Sequence, residues 1–101
     1  MDTSRLGHCY PLSGRYVMGH FNEPVTLVHG TIRSLGNPRI GHAWVQLPDG
    51  IWEPASNVVW DTADFTTRFN PCIQAEFTPT QVSITMLRTG HWGPWASPIT
   101  S

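Results

Sequence analysis

The sequence predicts an α+β domain: a Cys-bearing N-terminal helix packed on a small antiparallel sheet and closed by a C-terminal helix. Three observations predict it. A helical rhythm starts at Cys9, β-branched runs fill the middle of the chain, and a capping box opens at Thr78. The length of 101 residues suits one domain, since domains commonly run to roughly 100–150 residues.

The first helix is expected over residues 9–20. Pro11 fits its first turn, where a missing N–H costs nothing, and Leu12 and Tyr16 follow an i, i+4 rhythm that Gly19 ends. Val25–Ile32 is β-branched and bounded by Pro24 and Gly36-Asn37-Pro38, which reads as a strand. His42–Leu47, Pro48-Asp49-Gly50 and Ile51–Glu53 then form a hairpin signal, two β-prone runs across a Pro/Gly turn. Along its first strand His42, Trp44 and Gln46 share one face, and Ala43, Val45 and Leu47 share the other. Val58-Val59-Trp60 suggests a short strand, and the rest of residues 54–72 reads as an ordered loop.

The final helix is announced by Thr78-Pro79-Thr80-Gln81, a capping box with Pro at the first helical position. Phe77 and Val82 are placed to form the accompanying hydrophobic staple. The helix should run to about Arg88 and stop at Gly90, with the aromatic tail His91-Trp92-Gly93-Pro94-Trp95 packing back on the body.

Composition narrows the function. Net charge is −1 and the six basic residues are all Arg, scattered rather than clustered. Phosphate binding needs clustered positive charge, so nucleic acid is not the expected partner. No lysine amine exists for chemistry. Only 13% of residues are charged, against an ordinary roughly 25%. No apolar run approaches the roughly 20 residues of a membrane span, and Met1–His8 has no signal core. A single possible Cys pair is no disulfide framework, so a cytoplasmic setting with reduced thiols is expected.

Chemistry points to Cys9. A thiol attacks only as thiolate, and its free pKa of about 8.5 must be offset. A helix N-terminus supplies partial positive charge, and an imidazole can take the proton. Cys9 opens the first helix, His42 begins a strand, and Glu53 downstream is placed to fix the tautomer of His42 as a third member. A lone Cys is often only a small buried hydrophobe and five His give coincidental pairs, so that bland reading stands beside the catalytic one for Cys9 and is the reading for Cys72, between Pro71 and Ile73.

The hairpin leaves the role of Glu53 open. If Pro48-Asp49-Gly50 is a bulged three-residue loop, Glu53 faces Val45 and points away from His42. If only Pro48-Asp49 form the corner, Trp44 faces Glu53, which then shares the face of His42. Ser56 and Asn57 are the fallback orienters. His29 and Trp44 are candidates for the wall of a substrate cleft, beside the blander readings of His29 as a satisfied buried histidine and Trp44 as core, and His20 and His91 read as structural. A metal site is not expected. His8, Cys9, His29, His42 and Cys72 show no C-x₂-C or H-x₃-H spacing.

His42-Ala43-Trp44-Val45-Gln46 followed by Gly50-Ile51-Trp52-Glu53-Pro54 resembles the transglutaminase-like branch of the papain-type cysteine hydrolases. There a His-Ala-Trp-Val-Glu strand precedes one ending Asp-Pro-Thr, with the Cys opening an upstream helix. Cys9, Leu27-Val28-His29-Gly30, His42-Ala43-Trp44-Val45 and Gly93-Pro94-Trp95 also resemble blocks of small uncharacterised phage and bacterial proteins. The resemblance implies a papain-like core and a Cys9–His42–Glu53 triad, acting without cofactor on a peptide or small-molecule acyl substrate. Glu53 stands where the family has Asp, and Ala55 and Ser56 replace its Thr region. The alternative is a papain-like shell without turnover that binds a host target or sequesters a ligand.

Overall fold

A computed structural model describes residues 8–33 and 36–96. The elements are α1 (Cys9–Gly19), β1 (Thr26–Ile32), β2 (Ile40–Gln46), β3 (Ile51–Glu53), β4 (Val58–Trp60), α2 (Thr62–Phe69), β5 (Cys72–Phe77) and α3 (Pro79–Thr89). The strands form one antiparallel sheet in the order β4-β3-β2-β1-β5. The fold is therefore α+β, with a helix at each end of the described chain and a third between β4 and β5.

Alternation along β1 and β2 divides the core in two. Leu27, Val45, Trp52, Ala75 and Phe77 pack on one face with Val17 of α1, Val82 of α3 and Trp95 of the tail. Val28, Ile32, Trp44 and Ile51 pack on the other face against Phe65 of α2. Both faces are covered, which is why His42 through Val45 are buried without interruption. The β1–β2 register pairs Gly30 with His42 and Val28 with Trp44.

The C-terminal helix forms as expected. Thr78 accepts from the Gln81 N–H at 3.2 Å, and the Gln81 side chain accepts from the Thr78 N–H at 2.9 Å. Gly90 ends it in the left-handed region at φ 74°. The tail does pack back. Trp92 lies so close over α1 that a Cβ on Gly14 would sit 2.3 Å from its ring, and Trp95 is buried.

Three expectations need correction. The stretch read as a loop holds α2 and the start of β5. Cys72 was expected to be packing, yet it is exposed, because it begins the edge strand β5. Trp44 and His29 were expected to wall a cleft, but they are only 1% and 2% exposed and offer no surface to a ligand. Trp44 is sealed by Phe65, with ring centroids 5.5 Å apart, and His29 by Tyr10, Phe77 and Trp95.

Candidate functional site

The hairpin register decides whether the site assembles. Val45 pairs with Trp52 and Gln46 with Ile51, so Pro48-Asp49 form the corner and the Leu47 N–H donates to the Gly50 carbonyl at 2.8 Å. The bulged alternative needs a left-handed residue in the loop. Gly50 has no positive φ; the left-handed glycines among the described residues are Gly36, Gly90 and Gly93. Gly50 serves a different purpose. A Cβ there would stand 2.5 Å from the Trp60 carbonyl, so its small size lets β4 lie close. With this register Glu53 and His42 share one face.

His42 Nε2 lies 2.8 Å from Glu53 Oε1, and both side chains are nearly excluded from water. The carboxylate is itself held by its own turn. Oε1 accepts the Ala55 N–H at 2.9 Å, while Oε2 accepts the Ser56 N–H at 2.7 Å and the Ser56 hydroxyl. Asn57 closes that turn in the left-handed region at φ 55°, and its side chain accepts the Trp52 indole N–H at 3.1 Å. Ser56 thus supports Glu53 rather than replacing it, and Asn57 pins the turn.

The other side of the imidazole belongs to Cys9. Glu53 takes Nε2, and Cys9 stands near enough to the ring to raise the pKa of His42. Cys9 is the first residue of α1 and is 7% exposed. β3 pairs with β2 only at Val45 and Gln46, so the start of β2 has no strand neighbour on that side among the described residues. A helix on one face can therefore reach a side chain based on the other. His8, the residue before the helix, makes no side-chain cap, and Pro11 has no N–H. The helix's own bonding begins with the Leu12 N–H donating to the His8 carbonyl at 3.0 Å, so the Cys9 and Tyr10 amides point out at its positive end without an intrahelical partner.

Electrostatics follow from these contacts. Burial alone would lower the pKa of His42, but the hydrogen bonds and charges of Cys9 and Glu53 outweigh it and raise the value to about 9. Burial would raise Glu53, but bonds from His42, Ser56 and Ala55 hold it at about 2. At neutral pH the centre therefore holds an imidazolium against a carboxylate, and the positive ring is the partner that a thiolate needs.

The structure brings Cys9, His42 and Glu53 together and leaves His29 and Trp44 in the core. Sequence reasoning missed the amides of Ala55 and Ser56 as the seat of Glu53. The signal was the Glu-Pro-Ala-Ser-Asn turn itself, whose amides two and three residues on curl back to the side chain. A hollow of about 330 Å³ is lined by Ile32, Asn37, Pro38, Ile40 and Phe69; it contains no member of the trio, and Ile40 stands two residues before His42 on the same face. A hollow of about 370 Å³ lies at the far end of the sheet, around Tyr16 and Pro48, and contains no member of the trio. No group of three or more His, Cys, Asp or Glu able to hold a metal occurs among the described residues, and no helix there is long and apolar enough to cross a membrane. No family model, no curated protein and no solved structure matches the chain.

Proposed function

We propose that the chain is a thiol-dependent hydrolase or acyl transferase acting on an amide or related acyl bond through Cys9, His42 and Glu53. The observation that carries this reading is the buried Glu53–His42 hydrogen bond beside a cysteine at a helix N-terminus. The Cys9 sulfur attacks the acyl carbon, forming an S–C bond, while the Cys9 amide steadies the oxyanion. His42 gives its proton to the leaving group as that bond breaks, leaving a thioester. Water or an amine then attacks the thioester, His42 takes the incoming proton, and the S–C bond breaks. Glu53 keeps its own charge and holds the ring throughout. The hollow beside Ile40 suits an apolar substituent on the acyl group.

Trapping tests this directly. The protein is mixed with a series of p-nitrophenyl esters, with release of nitrophenol and intact mass followed together. A burst with acyl mass on Cys9, absent in Cys9→Ser, supports the proposal. Acylation at Cys72 alone, or none, contradicts it. One observation favours a second reading, a binding module without turnover: Cys9 is only 7% exposed. In that case Cys9 acylates once and the thioester persists without release.

A further inference from the structure

We infer that Tyr10 is a positioning residue that sets the separation of Cys9 and His42; this rests on the proposed thiol chemistry. Its backbone follows Cys9 directly, and its hydroxyl reaches the residue just before His42, where a Cβ on Gly41 would lie 3.0 Å from the Tyr10 oxygen. One side chain thus spans the start of α1 and the start of β2. It works as a spacer between the two elements that carry the pair.

The spacer has a rigid floor. The Tyr10 ring meets His29 edge-on, with centroids 4.9 Å apart and an interplanar angle of 87°. His29 cannot yield, because the Trp95 N–H donates to its Nδ1 at 3.2 Å and a Cβ on Gly93 would come within 2.6 Å of its Cε1. Trp92 closes over Gly14 on the same helix. His29, a candidate for the cleft wall, instead holds up the side chain that spaces the pair. The Tyr10 hydroxyl also keeps its proton, since burial and the adjacent Cys9 both oppose ionisation.

Gly41 is exposed and lies on a regular strand, so Ala is tolerated there except where its methyl meets the Tyr10 hydroxyl. The experiment uses the full chain carrying Cys72→Ser, with Gly41→Ala, Tyr10→Phe and the pair combined. Iodoacetamide alkylation of Cys9 at pH 7 is read beside thermal unfolding. Gly41→Ala should slow alkylation about tenfold, since small misplacements of reacting groups are costly. In the Tyr10→Phe background the same substitution should change the rate by less than about threefold, because its contact is gone. A merely structural role would lower the unfolding midpoint without this coupling. An unchanged rate in Gly41→Ala, or an equal loss with and without the hydroxyl, overturns the inference. His42→Ala in the same assay separates the two claims. If it leaves the Cys9 rate unchanged, the proposed function fails and the inference falls with it. If it lowers the rate while the coupling is missing, only the inference fails.

Discussion

Val45 stands opposite Trp52 across the β2–β3 ladder, and that single pairing puts Glu53 on the face of His42. A slip of one residue would turn the carboxylate to the far side of the sheet. Everything proposed for the site depends on this register.

Glu53→Gln should therefore keep the fold while weakening the centre. Gln retains an acceptor for His42 Nε2 but loses the charge that the Ala55 and Ser56 amides hold. We expect a loss of about 2 kcal/mol in unfolding free energy, typical of a charged hydrogen bond. His42 should titrate well below its present value of about 9. Chemical denaturation and the histidine NMR titration check both. An unmoved His42 titration would show that Glu53 does not govern the ring.

Stability should peak near pH 6.5, where two histidines pull in opposite directions. The pKa of His42 is raised in the fold to about 9, so its contribution is full below 6.5 and is lost as pH rises toward 9. Burial lowers the pKa of His29 to about 4, so its contribution is present above 6.5 and is lost as pH falls toward 4. Glu53, held near 2, adds a further loss below the ordinary carboxylate range. Thermal midpoints across pH 3–10 check this. His42→Ala should flatten the alkaline limb, and an alkaline limb that survives the substitution would contradict the assignment.

The tail contact can be isolated with two helical glycines. At Gly19 an added Cβ meets nothing within 4 Å, and Ala should stabilise by about 0.5–1 kcal/mol through helix propensity. At Gly14 the same methyl would strike the Trp92 ring, so Ala should destabilise by about 1–3 kcal/mol and shift Trp fluorescence. Equal effects from the two substitutions would mean that Trp92 does not pack on α1.

Much of this arrangement was legible in the residues. The capping box at Thr78, the helix at Cys9 and the strand at His42 all have local causes, namely a cap, an aligned Pro and an alternating face. What was not legible depends on contacts distant in the chain. Helix α2 is short and rich in Thr, and its apolar face is a single i, i+4 pair, buried Phe65 and half-buried Phe69, too brief a stripe to read from the residues. Strand β5 is an edge whose first three residues are exposed, with a register shift opposite His29 and Gly30. Gly50 looked like turn chemistry, yet its cause lies in the Trp60 carbonyl of another strand. His29 and Trp44 sit on candidate-site strands, but only the tertiary fold reveals that Tyr10, Trp95 and Phe65 seal them.

The two cysteines should label by different rules. Cys72 is open to solvent, so small and bulky thiol reagents should both reach it. Cys9 is enclosed, so bulky maleimides should reach it more slowly than iodoacetamide does, with no such size bias at Cys72. Peptide mapping after timed labelling checks both. Equal size discrimination at the two sites would contradict the enclosure of Cys9.

The most direct test of the thiol–imidazole pairing is the pH–rate profile of iodoacetamide alkylation in Cys72→Ser, with and without His42→Ala. The account predicts that His42→Ala slows Cys9 alkylation at pH 6 at least about tenfold, because the ring is the group that assists the sulfur. A profile that climbs only near about 8.5, identical in the two proteins, would contradict it.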